Sequence, residues 1–218
     1  MVTESKKEFL KHQGTFERNY PEISESFENE YNWPEMDTLR HEACLCIAFG
    51  LSQSAITICN HMMESLLKYS LIYHHSINNE GAFKPGADLV KVMEAYTEEG
   101  IKKFGDLTLG QTIKEAFSND LIDDKEKEML NKFRVNFRNA YSHSDKEKIF
   151  EDKSITVQSA KISPEGIVPG TPVQAVIAKN PIVHSIAQAM KASQDAPGYF
   201  LYLDGLVRHM KKRVFPDG

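Results

Sequence analysis

Long apolar runs are missing from this 218-residue chain, so the sequence predicts no membrane-spanning helix. The first seven residues, MVTESKK, also lack the apolar core of a secretory signal, and we therefore expect a cytoplasmic protein. Cysteine is scarce, with three in the chain. Cys44 and Cys46 point in nearly opposite directions on one predicted helix, and Cys59 lies about 20 Å further along it, so neither a disulfide nor a cysteine metal site is expected.

An excess of positive charge is missing as well, because 31 acidic residues outnumber 26 Lys and Arg and give a net charge of -5. The surface as a whole does not attract nucleic acid. An RNA-binding surface would have to be a local basic patch or a groove between subunits. The candidates, which could equally be solvated helix faces, are Lys132, Arg134, Arg138, Lys146 and Lys148, and in the tail Arg208, Lys211, Lys212 and Arg213.

Motifs for metal and nucleotide chemistry are absent too. The chain has no HExxH, CxxC, P-loop or GxSxG pattern. His61 and His75 share one side of a predicted helix but lie about 21 Å apart along its axis. We therefore expect neither a metal nor a cofactor.

Apolar residues at steps of three and four predict a mainly helical protein. The longest pattern runs from about Thr38 to His75 and indicates one central, largely buried helix. Further helices are predicted over residues 4–12 and 87–104, from a capping box at Thr108 and Gln111 to about Ser118, and from a second capping box at Asp123 and Glu126 into Arg138.

The C-terminal third differs in pattern. Alternating β-branched and aliphatic residues over 154–158 and 172–178, separated by prolines and glycines, predict a β-hairpin or flap. Asn180-Pro181 then has the pattern of an N-cap followed by Pro at the first helical position. Asp195-Ala196-Pro197 predicts the start of a last helix.

We therefore predict an all-α helical bundle with a small β-hairpin elaboration near its C-terminal third. Residues 1–36 would form an N-terminal arm with short helical pieces, and residues 37–150 the helical core. Residues 151–180 would form the flap, which could cover a cleft, bind a regulator or serve only as packing. Residues 181–218 would supply C-terminal helices that pack on the core.

Arg138, Asn139 and His143 are the strongest candidates for chemistry. Arginine carries a permanent planar charge that binds phosphate oxygens through two donors, and histidine can move a proton near neutral pH. On an unbroken helix, five positions leave Arg138 and His143 about 140° apart, so they converge only if the helix stops or if two subunits contribute. The capping box Ser144-Asp145-Lys146-Glu147 predicts such a stop. Alternatively, Arg138 pairs with a carboxylate and His143 is a capping or surface residue.

This pattern, downstream of a long helix that carries Glu64, resembles the motif of the HEPN superfamily (higher eukaryotes and prokaryotes nucleotide-binding). The family motif is an Arg, usually followed by a polar residue, and a His after four to six intervening residues. Arg138, Asn139 and His143 match it. Glu64 and Lys68 resemble an acid and a lysine, four residues apart, that some branches carry on the earlier helix. The resemblance covers the predicted helical core.

The resemblance implies a metal-independent endoribonuclease, often a toxin or an antiphage effector, that forms a homodimer with the two motifs facing each other in one cleft. His143 would transfer the proton, Arg138 would stabilise the charge on the phosphorane, and Asn139 would orient His143 or the phosphate. A branch silenced by nucleotidyltransferase antitoxins carries Tyr two residues after the His, where this chain has Asp145. Silencing by that route is therefore not expected, while another antitoxin or a defence-system partner stays compatible with the resemblance.

Three further residues have supporting roles in this interpretation. Glu64 would fix the Arg138 guanidinium or the imidazole, and Lys68 would contact a phosphate. Glu64 and Lys68 could instead form a simple surface pair, four residues apart on a helix. Tyr141 would stack on a base, although a core position is the commoner use of such a residue.

Two other functional classes stay open. The chain could be a catalytically silent HEPN module that binds RNA, nucleotide or a protein partner, or a purely structural helical dimer. Incubation of the purified protein with RNA separates the nuclease from both.

Overall fold

The computed structural model describes residues 4–78, 89–139, 141, 150, 153–164 and 166–216, and within them the chain is mainly helical with one two-stranded antiparallel sheet. This confirms the predicted combination of helices and a small β-hairpin. None of the described helices has both the length and the apolar character needed to cross a membrane. The elements are α1 (Glu4–Glu28), α2 (Pro34–Ala48), α3 (Ser52–Asn78), α4 (Leu89–Phe104), α5 (Leu109–Ser118), α6 (Asp124–Phe133), a π-helical segment (Arg134–Asn139), β1 (Ser154–Ser163), β2 (Gly166–Val176), a 3-10 turn (Ile177–Lys179) and α7 (Pro181–Val214).

Helix α3 is the centre of the bundle. It packs against α2, α4, α5 and α7. Ile56, Met63 and Leu67 are completely buried along it. Its burial confirms the central helix indicated by the apolar pattern, although the helix begins later than predicted.

The single helix predicted over residues 38–75 is wrong, because the chain breaks between α2 and α3. Gly50 has a φ of 73°, a left-handed conformation that glycine adopts without the steric cost of a Cβ. Helix α1 stabilises the break, since Asn19 Nδ2 donates a hydrogen bond of 3.0 Å to the carbonyl of Ile47 near the end of α2. The apolar pattern continues in phase across the break, which is why it predicted one helix.

The three cysteines form no disulfide bond, and two of them are buried in the core. Cys44 and Cys59 are fully buried, and Cys46 is partly exposed. Burial raises the pKa of Cys44 to about 12 and also raises the pKa of Cys59. Because the thiolate is the reactive form, we expect a thiol reagent at about pH 8 to titrate at most one cysteine in the native protein and all three after unfolding. Rapid titration of two native thiols would contradict the buried positions.

The N-terminal region forms one helix, α1, where the sequence predicted a short helix and an arm of helical pieces. Pro21 lies inside this helix. Ile23, two residues later, is fully buried, and Phe16 packs against the same core cluster. Packing of this apolar face therefore outweighs the hydrogen bond that Pro21 removes.

Helix α7 is likewise one helix, so the predicted start at 195–197 is wrong. Asp195 does not cap a helix but binds Lys191 Nζ at 2.6 Å along the same helix. Tyr199 and Phe200 lie two and three residues after Pro197 and are buried against the core. Their burial holds the helix together across the proline, at the loss of one backbone hydrogen bond.

The capping signals at Thr108, Asp123 and Asn180 were predicted correctly. The capping boxes of α5 and α6 are both formed, with each N-cap side chain and its partner three residues later bound to the other's backbone N–H. Asn180 caps α7 by accepting hydrogen bonds from the backbone of Ile182 and Val183. These signals depend on residues three apart, so tertiary packing does not override them.

The predicted hairpin is present and pairs from Ser154 opposite Val176 to Ser163 opposite Gly166. Most of it is exposed to solvent. Its base rests on a small second cluster of Phe150, Ile177 and Val183, against which Tyr141 packs.

A buried polar network joins the residues between α1 and α2 to α7. The Tyr31 hydroxyl donates to Asp204 Oδ1 at 2.7 Å, and Arg208 Nε donates to Oδ2 of the same carboxylate at 3.2 Å. The Tyr31 ring lies 5.0 Å from the Arg208 guanidinium and 5.6 Å from that of Arg40. Arg40 in turn donates to the carbonyl of Phe27 at 2.9 Å. The network fixes the N-terminal region on the bundle.

Candidate functional site

The structure brings Arg138 and Glu64 together. Arg138 Nε donates to Glu64 Oε1 at 2.8 Å, across 74 positions of sequence. Their side chains are 33% and 32% exposed, so the ion pair lies at the rim of the bundle, where a ligand can reach it. The contact between Glu64 and the Arg138 guanidinium is therefore present, and it agrees both with the catalytic interpretation and with the alternative in which Arg138 simply pairs with a carboxylate.

Aromatic packing positions Arg138. The π-helical segment continues α6, and the rings of Phe133 and Phe137 lie 4.5 and 4.6 Å from the ring of Tyr199 on α7. The Tyr199 hydroxyl donates to Asn60 Oδ1 on α3 at 3.0 Å. These contacts of Phe133, Phe137 and Tyr199 hold the π-helical segment against α3 and leave Arg138 at the edge of the segment. Short π-helical segments inside longer helices are frequent at functional sites.

Lys68 lies one turn beyond Glu64 on α3 but has a different partner. Its Nζ donates to the carbonyl of Gly105 at 2.6 Å, in the turn between α4 and α5. Glu64 thus has a long-range partner in Arg138, and Lys68 has one in the carbonyl of Gly105. Lys68 also holds the α4–α5 turn next to the site.

Tyr141 lies in the interior between the two clusters. Its ring is 6.3 Å from that of Phe137, and its hydroxyl is buried with no hydrogen-bond partner among the described residues. Burial, and secondarily the negative charge of Asp195, raises the pKa of Tyr141 to about 12. Tyr141 thus packs as a core residue does, which is the alternative to base stacking that the sequence left open.

Asn139 ends the π-helical segment and is half-buried beside Arg138. His143 lies outside the described residues, as does the capping box at 144–147. The predicted helix stop between Arg138 and His143 therefore stays a prediction.

Arg134 begins the π-helical segment, one turn before Arg138. Its guanidinium lies against Gly110 in the first turn of α5, where a Cβ would be 3.4 Å from Arg134 Nη1. The side chain is half-buried and its Nε is fully buried. The sequence identified Arg134 only as part of a basic patch, because no local signal predicts its contact with a distant glycine.

No group of three or more metal-ligating side chains occurs within the described ranges. The candidate site therefore consists of Arg138, Glu64 and their neighbours. Comparison with protein-family models, curated proteins and solved structures returned no match.

Proposed function

We propose that this protein is a metal-independent endoribonuclease of the HEPN type, in which Arg138 and His143 act on one phosphodiester. The observation that carries the proposal is the ion pair between Arg138 and Glu64 at 2.8 Å. The pair joins the arginine of the motif, Arg138, to the acid on the earlier helix, Glu64. In the sequence, only the family resemblance connected these two residues. As a toxin or antiphage effector, the protein would act as a homodimer whose two motifs share one cleft.

The reaction would use the RNA's own 2′-hydroxyl as nucleophile. His143 would take the proton from this oxygen, or give a proton to the departing 5′-oxygen. The 2′-oxygen forms a bond to phosphorus, the bond to the 5′-oxygen breaks, and the products are a 2′,3′-cyclic phosphate and a 5′-hydroxyl. Arg138 would stabilise the negative charge that builds on the non-bridging oxygens.

Glu64 would act by holding Arg138 in place. It binds Nε, the guanidinium nitrogen nearest the aliphatic stem. This contact fixes the orientation of the guanidinium plane through which Arg138 would contact a phosphate. Asn139, which lies next to Arg138, would orient the imidazole or the phosphate.

The same ion pair also favours a second function, that of a catalytically silent HEPN module. The Glu64 carboxylate offsets part of the Arg138 charge, in a chain whose net charge is already -5. Such a module would bind RNA, nucleotide or a protein partner without cutting. It would bind without producing new RNA ends.

Incubation of the purified protein with total RNA in EDTA tests the proposal. We expect cleavage at an unchanged rate in EDTA and products that end in 2′,3′-cyclic phosphate. The His143→Ala protein, purified in the same way, controls for contaminating ribonucleases. A requirement for a divalent ion would refute this mechanism, and binding without cleavage would support the silent module.

A further inference from the structure

We propose that Arg134 is a second phosphate-binding residue of this site and holds the RNA phosphate next to the scissile one. The inference rests on the proposed function in that it takes RNA as the ligand. It adds a contact that neither the motif nor its resemblance assigns.

Arg134 has no acceptor in the part of the chain that the structure describes. Its Nε is fully buried there without a hydrogen-bond partner. The other five arginines of the chain each donate to an oxygen of the protein; these are Arg18, Arg40, Arg138, Arg208 and Arg213. A buried donor without a partner is destabilising, so a purely structural role explains Arg134 poorly, and a phosphate would bind the terminal nitrogens of its guanidinium rather than the enclosed Nε.

Packing rather than an ion pair places the Arg134 guanidinium. It lies against Gly110 in the first turn of α5, at a distance where even a Cβ on that residue would make only van der Waals contact with it. The α4–α5 turn that leads to Gly110 is held by Lys68 through Gly105. The cation is therefore positioned before any ligand arrives, which reduces the entropy lost on binding.

Arg134 and Arg138 lie one turn apart on the π-helical segment and so share a side of it. Arg138 reaches α3 through Glu64, and Arg134 reaches the neighbouring α5 through Gly110. With Lys68, one turn beyond Glu64 on α3, these neighbouring elements carry three cations in a chain that is acidic overall. Two arginines in this arrangement suit consecutive phosphates of one strand, because each guanidinium can bind two oxygens of a phosphate.

Binding of a labelled single-stranded RNA oligonucleotide tests the inference, with His143→Ala present throughout so that no RNA is cut. Adding Arg134→Gln should weaken binding about tenfold and reduce the slope of log affinity against log salt by about 0.7, the value for one lost phosphate contact. Lys125→Gln is the matched control, because it removes one exposed positive charge from α6 on the opposite side of the helix. It should leave both quantities unchanged.

Arg134→Met separates a ligand-binding role from a structural one. It keeps an unbranched stem against Gly110 and removes the buried donor, so the melting temperature should stay the same or rise while RNA binding falls about tenfold. A clear drop in melting temperature with unchanged binding would assign Arg134 to the fold and overturn the inference.

The outcomes also separate this inference from the proposed function. If the wild-type protein cleaves or binds RNA, and Arg134→Gln matches Lys125→Gln in affinity and salt slope, then only the inference fails. If the wild-type protein neither cleaves nor binds RNA, both fail.

Discussion

Replacing Arg138 by glutamine should slow RNA cleavage about 10²- to 10³-fold, the range measured when one donor to a charged transition state is removed. The fold should tolerate the change. Arg138 and Glu64 are each about one-third exposed, so their ion pair contributes at most about 1 kcal/mol to stability. For a chain of this size, that free energy corresponds to a change in melting temperature of about 2–4 °C. Activity and stability should therefore separate clearly in this variant.

The measurement is single-turnover cleavage of a defined RNA, with thermal unfolding recorded on the same preparation. Arg18→Gln is the matched control, because Arg18 is an exposed arginine on α1 whose side chain contacts only Thr15 on its own helix, at 3.5 Å, among the described residues. It should cleave at the wild-type rate. Equal cleavage by the Arg138→Gln and Arg18→Gln proteins would remove Arg138 from the mechanism.

Replacing Asp204 by alanine should lower the free energy of unfolding by about 3 kcal/mol or more. The carboxylate accepts from the Tyr31 hydroxyl and from Arg208, and Asp204 is only 8% exposed. Burial, with the adjacent Asp204 charge, raises the pKa of Tyr31 well above its usual range, so Tyr31 stays a neutral donor. Without Asp204, the buried Tyr31 hydroxyl loses its acceptor and Arg208 keeps only its bond to the Asn29 carbonyl, and a desolvated donor without a partner is costly.

Thermal or denaturant unfolding measures this loss, and we expect the melting temperature to fall by about 6–12 °C. Glu128→Ala is the control. It breaks the Lys132–Glu128 ion pair, in which both side chains are more than half exposed, so no measurable change is expected. Equal stability of the Asp204→Ala and Glu128→Ala proteins would show that the buried network contributes nothing to the fold.

The fold was predictable where the signal was local. The capping boxes at Thr108 and Asp123 and the Asn180 cap are each formed by residues within three positions, and all three are present. The errors at Gly50 and Pro197 have one cause. Each residue is a strong local signal for a break, but its effect depended on distant packing: α1 stabilises the break at Gly50, and buried aromatic residues carry α7 across Pro197.

The site was predictable in part, for a similar reason. Arg138 and Glu64 were chosen from a motif and a helical pattern, and the structure brings them to 2.8 Å. Lys68 could not be placed correctly, because its partner is a backbone carbonyl in a turn and carbonyls have no sequence signature. The contact between Gly110 and Arg134 is likewise a property of two elements packed together.

Pro197 divides α7 into two halves that differ in their surroundings. Val183 in the first half belongs to the cluster at the base of the hairpin, whereas Ala192, Ala196 and the buried residues from Tyr199 onward belong to the main core. Because proline has no N–H, the carbonyl of Ser193 lacks its usual intrahelical donor at this boundary. Bending at this hinge therefore breaks fewer hydrogen bonds than bending elsewhere in the helix.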